Sequence, residues 1–294
     1  MDVFIFPGQG SQHVGMLSAL AQNSQTRELL DAANDILGYD LATLCFEGPE
    51  ETLTDTRHAQ PALLTAGVAY ARAAARQGLT PSMVAGHSLG EYAALVVAGV
   101  LPFEAALRLV QKRAELMAEA PSGAMAAIVG LPNEEVERVV QDARSFGVLV
   151  AANYNAPGQV VISGEVSAVE AAMREAKSGG AKMAIKLPVS GAFHSPLLED
   201  AATKMSALIA AADFADAIVP VYQNATAQGA TQADELKAAL KEQMTSPVRW
   251  IETVQNMIAG GATDFYELGP GKVLTGLIKR IDKSVTAQSG DTVV

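Results

Sequence analysis

The sequence predicts an α/β fold in which a mostly parallel sheet carries a small inserted domain. Short apolar runs such as residues 3–6 alternate with amphipathic helical segments, at spacings too long for hairpins. One such run leads into Ser88, a serine flanked by glycines at a strand-to-helix junction. After residue 123 the rhythm changes to shorter elements with glycine-rich borders, which indicates an insertion.

The first part of the chain reads as alternating strands and helices. Residues 3–6 form a buried strand that Pro7-Gly8 ends, and helical periodicity follows at residues 27–37 and 61–76, with Pro61 in a first turn. A short strand then enters the Ser88 turn, a helix runs from Gly90 to about residue 98, and another helix runs from about residue 102 to 120. Residues 193–281 return to α/β character, and we expect the polar tail after Asp282 to fray.

The insertion reads as β-α-β-β-α-β, which is the ferredoxin-like pattern. Its strands are predicted at residues 124–129, 148–153, 159–163 and 182–187, and its helices at 133–143 and 167–177. We therefore predict a subdomain of residues 124–190, and a discontinuous core of residues 1–123 and 191–294.

Composition narrows the classes of function. The formal net charge of −11 argues against nucleic acid or an anionic membrane as a partner. No apolar run approaches the length of a membrane helix, and the N-terminus has no basic region typical of a signal peptide. Because Cys45 is the only cysteine, no intramolecular disulfide can form, and we expect a cytoplasmic protein.

Ser88 is the candidate nucleophile. Gly86 and Gly90 leave room for a sharp turn that lifts the hydroxyl toward a substrate, and the amide after the serine then faces a developing oxyanion. A serine hydroxyl is a weak nucleophile at neutral pH, so the turn requires a base.

Four histidines are candidates for that base. His87 lies within the turn itself, where the backbone direction favours a packing role, and His13 and His58 lie in polar segments. His194 lies in the loop that leaves the last strand of the insertion, where it is either a base over the cleft or a structural loop histidine.

Arg113 falls in the middle of the apolar face of its helix. A guanidinium that points inward keeps its charge and must find an anion, either a buried carboxylate of the protein or the carboxylate of a ligand. The loop Gly8-Gln9-Gly10 is placed to supply a second oxyanion amide, whereas it lacks the third glycine of a dinucleotide-binding motif. The scattered histidines and single cysteine predict no metal site.

Together these segments resemble the malonyl-CoA:acyl carrier protein transacylase family over essentially the whole chain. The matching motifs are FPGQGSQ (6–12), QPAL (60–63), GHSLGE (86–91), Arg113 with Met117, NAPGQVVISG (155–164), GAFHS (191–195) and ELGPGKVL (267–274). Each motif alone is weak, but seven in order are specific. The resemblance implies an α/β-hydrolase-like core with a ferredoxin-like insertion.

The resemblance also implies a role for each matching residue. Ser88 is the nucleophile and His194 the general base, which the backbone carbonyl of Gln243 orients. The backbone amides of Gln9 and Leu89 form the oxyanion hole. Arg113 binds the malonyl carboxylate, and Phe193 narrows the space where an α-methyl branch would lie.

The implied reaction transfers a malonyl group from malonyl-CoA to the phosphopantetheine thiol of an acyl carrier protein through a malonyl-serine ester. It needs no cofactor, since CoA enters as part of the substrate. Trans-acting polyketide-synthase acyltransferases and malonate decarboxylase transacylase subunits share this chemistry, and an esterase or thioesterase is a more remote alternative. A non-catalytic carrier-binding subunit is the alternative from another class.

We expect a monomer, because one chain contains its own two-domain cleft. Carrier proteins are acidic, so docking on this acidic chain requires a local basic patch. The candidates for such a rim, which otherwise read as a solvated charge run, are Lys182, Lys186, Lys272, Lys279 and Arg280.

Overall fold

The computed structural model of the protein describes residues 1–189 and 191–292. Its strands are β1 (Asp2–Phe6), β2 (Met83–Gly86), β3 (Ala124–Val129), β4 (Leu149–Ala156), β5 (Gln159–Gly164), β6 (Met183–Lys186), β7 (Val221–Tyr222), β8 (Gly229–Ala230), β9 (Asp264–Glu267) and β10 (Thr286–Ser289). Its α-helices are α1 (Ser24–Leu37), α2 (Leu41–Glu47), α3 (Glu50–Thr54), α4 (Thr56–Arg76), α5 (Gly90–Val97), α6 (Phe103–Glu119), α7 (Asn133–Ala143), α8 (Val166–Ser178), α9 (Glu199–Ala211), α10 (Ala233–Glu242), α11 (Trp250–Ala259) and α12 (Val273–Ile281).

The larger sheet has the strand order β10-β9-β1-β2-β7-β8. Its neighbours pair in parallel except β8, which runs antiparallel to β7. The predicted mixed α/β fold with a mostly parallel sheet is therefore confirmed. Because β1, β2 and β7 are adjacent and parallel, the loops that follow them meet at one edge, where ligands of such sheets bind.

Both faces of the larger sheet are covered. Along β1, Phe4 and Phe6 belong to one buried cluster, whereas Val3 and Ile5 belong to another that contains Trp250. This arrangement explains why the strand is a continuous apolar run rather than an alternating one. None of the helices in the described residues is long and apolar enough to cross a membrane.

The smaller sheet is antiparallel, with the order β4-β5-β3-β6. Its elements follow one another as β3, α7, β4, β5, α8 and β6, which is the predicted β-α-β-β-α-β order. It has a hydrophobic cluster of its own, built around side chains such as Ile128, Val160 and Ile162. The predicted boundary at Ser190 lies outside the described residues, and the division into domains stays a prediction.

Two details of the sequence reading are wrong. Helix α4 begins at Thr56 because the Asp55 side chain accepts a hydrogen bond from the Arg57 amide at 2.8 Å, so Pro61 lies inside the helix rather than in its first turn. The described residues after Asp282 do not fray, since β10 pairs with β9 and buries Ala287. A four-residue edge strand has too little hydrophobic pattern to be recognised in the sequence.

The turn between β2 and α5 is as sharp as predicted. Ser88 has a φ of 52°, in the left-handed region that non-glycine residues rarely adopt. A Cβ on Gly86 would overlap the backbone of Gly90, and a Cβ on Gly90 would overlap the carbonyl oxygen of Phe6. Both glycines are therefore required for the helix to start this close to the sheet.

We predict that Gly90→Ala destabilises the protein by at least about 3 kcal/mol, the upper end of the range for overpacking. The obstructing atoms belong to the backbone of β1 and cannot rotate away. Gly276→Ala, at an exposed position of helix α12 with no atom within 4 Å of the new methyl group, is the matched control and should gain about 0.5–1 kcal/mol. Urea unfolding followed by circular dichroism measures both, and equal stability of the two variants would contradict the steric argument.

Candidate active site

Ser88 and His194 meet across the cleft. The Ser88 Oγ lies 2.7 Å from the His194 Nε2, although the residues are 106 positions apart in the chain. The His194 Nδ1 lies 3.0 Å from the carbonyl oxygen of Gln243 and 3.1 Å from that of Ser246. Since carbonyl oxygens only accept, the proton of the neutral ring lies on Nδ1, and Nε2 accepts from the serine hydroxyl.

His194 is held in an unusual backbone conformation and a dry environment. Its φ is 56°, so both members of the Ser88–His194 pair lie in the left-handed region. The side chain is buried, and burial, with smaller contributions from the Arg113 and His87 charges, lowers the pKa of His194 to about 3. The ring is therefore neutral at physiological pH.

Arg113 is 1% exposed and reaches the serine from helix α6. Its Nη2 donates to the Ser88 Oγ at 3.1 Å and to the Gln243 Oε1 at 3.1 Å, while its Nη1 donates to the Gln60 Oε1 at 2.6 Å. The guanidinium also lies 5.7 Å from the centre of the Tyr92 ring. Every one of these partners is uncharged.

Arg113 forms no ion pair of 4 Å or less with a carboxylate of the described residues. Its Nε is buried and has no hydrogen-bond partner there. Burial lowers the pKa of Arg113 from its usual value, but a guanidinium remains protonated in proteins. Of the two alternatives that the sequence left open, a direct carboxylate partner within the described protein is excluded.

A cavity of about 180 Å³ opens between the two sheets and contains these groups. Its lining combines the loops after β1 and β2, helix α6, strands β3 and β4 of the smaller sheet, and the segment after β6. The lining consists of Gln9, Gly10, Gln12, Thr54, His87, Ser88, Leu89, Arg113, Met117, Met125, Asn153, Leu187, Pro188, Val189, Phe193 and His194.

Gln9 and Leu89 line this cavity beside Ser88. A Cβ on Gly8 would lie 2.6 Å from the carbonyl oxygen of His87, so the loop after β1 packs directly on the serine turn. Leu89 precedes the first residue of α5, at the end of a helix where amides have no intrahelical acceptor. The structure thus brings both predicted oxyanion residues to the serine.

Phe193 also lines the cavity and is 7% exposed. A Cβ on Gly191 would overlap the Phe193 ring, so this glycine allows the ring to fold back over its own loop. His87 packs 5.6 Å from the Trp250 ring, and its Nε2 lies 2.8 Å from the Asn155 Oδ1. His87 therefore has the packing role that the sequence suggested.

The sequence analysis did not predict the hydrogen bonds that hold the Ser88 turn in place. The Asn224 Oδ1 accepts from the Ser88 amide at 2.6 Å, and its Nδ2 donates to the Gly86 carbonyl oxygen at 2.6 Å. The buried Glu91 carboxylate accepts a hydrogen bond from the backbone N–H of Asn224 at 2.9 Å. Asn224 follows β7, whose two residues give no recognisable strand pattern, so nothing in the sequence signals its position.

The predicted basic rim does not line the cavity. The Arg280 guanidinium donates to the Pro157 carbonyl oxygen at 3.1 Å and to the Gln159 side chain, which attaches α12 to the β4–β5 turn. A docking role for the basic residues stays a prediction. Within residues 1–189 and 191–292, no group of three or more His, Cys, Asp or Glu side chains is arranged to hold a metal ion.

Comparison with known proteins identifies the family. The model of the acyl transferase domain matches residues 3–294. The chain belongs to the acyl transferase family. This acyl transferase is 48% identical to the malonyl CoA-acyl carrier protein transacylase of Bacillus subtilis (strain 168), over 95% of this chain and 90% of the relative. The predicted family resemblance is thereby confirmed.

Solved structures agree with this assignment. An acyl-carrier-protein S-malonyltransferase from Burkholderia pseudomallei 1710b superposes with a TM-score of 0.95 at 46% identity, covering 98% of this acyl transferase and 95% of that chain. A chain in a complex of a type II PKS acyl-carrier protein with its malonyl-transacylase gives a TM-score of 0.95 at 43% identity, with coverage of 98% and 95%.

We predict that the His194 ring of this acyl transferase remains neutral, with the proton on Nδ1, from pH 8 down to pH 5. Protonation would charge a buried ring beside the Arg113 guanidinium, which is why its pKa is low. Ring ¹⁵N chemical shifts recorded across this range report the tautomer directly. A titration with a midpoint near 6.5, the ordinary value of histidine, would contradict the prediction.

Proposed function

We propose that this acyl transferase moves a malonyl group from malonyl-CoA to the phosphopantetheine thiol of an acyl carrier protein, through a malonyl ester of Ser88. The observation that carries the proposal is the buried Arg113 guanidinium, which lies 3.1 Å from the Ser88 Oγ and has only uncharged partners. A carboxylate-bearing acyl group on the serine would supply an anion in direct contact with the guanidinium. The names of the relatives support the same substrate and acceptor.

The serine hydroxyl donates to the His194 Nε2 and is aligned for proton transfer. As the Ser88 Oγ attacks the thioester carbon, the proton moves to Nε2 and the carbonyl oxygen becomes an oxyanion. Collapse of this intermediate breaks the carbon–sulfur bond, and His194 returns the proton to the departing CoA sulfur. The carrier thiol then attacks the ester by the reverse sequence, which regenerates Ser88.

We assign stabilisation of the oxyanion to the backbone amides of Gln9 and Leu89, which line the cavity on the serine side. Each such donor typically contributes about 10²–10³ in rate. The Ser88 amide is not available for this task, because Asn224 accepts from it at 2.6 Å. The Gln243 carbonyl orients the histidine, and the Ser246 carbonyl assists it.

Arg113 selects the acyl group and anchors it on Ser88 after CoA has left and until the carrier thiol attacks. Its Nη2 and its unpaired Nε lie on one edge of the guanidinium, so a carboxylate that replaces the Ser88 Oγ as a partner of Nη2 can bind both. Phe193 limits the width of the acyl site, and Met117 and Met125 supply further apolar wall. We propose that these side chains exclude an α-methyl branch.

We also assign the two sheets to fold types. The nucleophile in a sharp turn after a parallel strand favours an α/β-hydrolase-like core of residues 1–123 and 191–294. The antiparallel order β4-β5-β3-β6 favours a ferredoxin-like subdomain of residues 124–190. Because one chain supplies every group of the site, we propose that a monomer suffices for the reaction. The single cysteine, Cys45, is buried and reduced, which suits a cytoplasmic protein.

Hydrolysis by an esterase or thioesterase is the competing reaction for the same serine. An inward guanidinium does not suit a neutral acyl chain, because burying it against hydrocarbon leaves its charge unpaired.

The transacylase chemistry is shared by fatty-acid enzymes, trans-acting polyketide acyltransferases and malonate decarboxylase subunits, and the carrier that accepts the acyl group distinguishes them.

We predict that mixing with malonyl-CoA gives a single malonyl adduct on Ser88, and that adding a phosphopantetheinylated acyl carrier protein moves it to the carrier. Mass spectrometry of both proteins follows the transfer. Ser88→Ala should abolish the adduct, whereas Ser82→Ala, an exposed serine just before β2, is the matched control and should retain it. Consumption of malonyl-CoA at the same rate without carrier, with no adduct passed on, would establish a hydrolase instead.

A further inference from the structure

The side chain of Gln243 carries a role that its backbone carbonyl does not explain. Gln243 directly follows α10, is 1% exposed and makes side-chain contacts in two opposite directions. Its Oε1 accepts from the Arg113 Nη2 at 3.1 Å. Its Nε2 donates to the Glu91 Oε2 at 3.0 Å and to the Ser88 carbonyl oxygen at 2.9 Å.

The orientation of this amide is determined by its partners. A guanidinium only donates and a carboxylate only accepts, so a flipped amide would place donor against donor on one side and acceptor against acceptor on the other. The amide oxygen therefore faces Arg113, and the amide nitrogen faces Glu91.

Glu91 is 0% exposed and lies in the first turn of α5. Besides the Gln243 side chain, two donors bind its oxygens: the backbone N–H of Asn224 at 2.9 Å and the Gln223 Nε2 at 3.3 Å. All three partners are donors, which favours the ionised carboxylate. Burial raises the pKa of Glu91 above its ordinary value, although these donors and the Arg113 charge oppose the rise. The case for the ionised carboxylate is therefore geometric: its two oxygens have three donors as partners, and none of these partners is an acceptor.

Arg113 and Glu91 are thus two buried opposite charges, separated by one amide. A direct pair would form charge-assisted hydrogen bonds that compete with an incoming carboxylate. A guanidinium with no counter-charge nearby would be costly to bury. The interposed amide satisfies hydrogen bonds on both ions while keeping them out of contact.

We propose that the Gln243 side chain is a positioning residue for acyl selection: it holds the Arg113 guanidinium toward Ser88 and keeps it from pairing with Glu91. Glu91 then offsets the charge of Arg113 without contacting it, and the guanidinium stays available to the acyl carboxylate. This proposal rests on the proposed malonyl transfer, since it concerns how the carboxylate is recognised.

The test compares malonyl-CoA with acetyl-CoA, which has no carboxylate, as donors for acylation of Ser88. Gln243→Ala keeps the backbone carbonyl that orients His194 but removes the amide between the two ions, so Arg113 can pair with Glu91. We expect the ratio of malonyl to acetyl kcat/KM to fall about 10- to 150-fold, the factor that corresponds to one charge-assisted hydrogen bond. Arg113→Ala removes the guanidinium, so its malonyl-to-acetyl ratio gives the value expected when selection is lost completely.

Replacing Glu91 in the same background supplies a rescue. The double variant Gln243→Ala with Glu91→Gln removes the competing carboxylate, so we expect its malonyl-to-acetyl ratio to recover by about tenfold over Gln243→Ala. Gln255→Ala, an exposed glutamine on α11, is the matched control and should keep the wild-type ratio.

Equal losses with both donors in Gln243→Ala, or no recovery in the double variant, would overturn the proposal. If Gln243→Ala fails to fold, the single variant Glu91→Gln tests the proposal instead. Its side-chain oxygen, at the position of Oε2, still accepts hydrogen bonds from the Gln243 side chain and the Asn224 backbone N–H. Its ratio should equal or exceed the wild-type value, and a tenfold lower ratio would overturn the proposal. Absence of a malonyl adduct on the wild-type protein would instead reject the proposed function.

Discussion

The structure depends on the burial of one positive charge. Arg113 lies within a dry core, and its polar contacts are the amides of Gln60 and Gln243 and the hydroxyl of Ser88. Burying a charge whose direct partners are all neutral is unfavourable, and here Glu91 lies behind Gln243 without contacting the guanidinium. The arrangement places a fixed, charged donor beside the Ser88 hydroxyl, and the proposed selection for an acidic acyl group rests on it.

The backbone around the site is organised to the same end. Ser88 and His194 both have positive φ values, and each is held there by contacts that leave little freedom. The Asn224 side chain binds both sides of the serine turn, and two carbonyl oxygens hold the histidine ring. Strain of this kind persists only where the surroundings determine the conformation, and these contacts hold the proposed base and nucleophile in place without a substrate.

Much of this arrangement was predictable, because its signals are local. The glycines around Ser88, the apolar face that contains Arg113 and each element of the β-α-β-β-α-β order are patterns that a short stretch of sequence shows. The contacts of Asn224, Glu91 and the Gln243 side chain were not predictable, since they join segments more than 130 residues apart. Asn224 also follows strand β7, which is only two residues long. Long-range polar contacts leave no periodicity in a sequence.

The most direct test is a crystal structure of the protein after reaction with malonyl-CoA. We predict density for an ester on the Ser88 Oγ, with the malonyl carboxylate within about 3.2 Å of the Arg113 Nη2 or Nε, and with Gln243 still between Arg113 and Glu91. A malonyl group whose carboxylate points into solvent, with Arg113 bonded to Gln60 and Gln243 alone, would contradict the account.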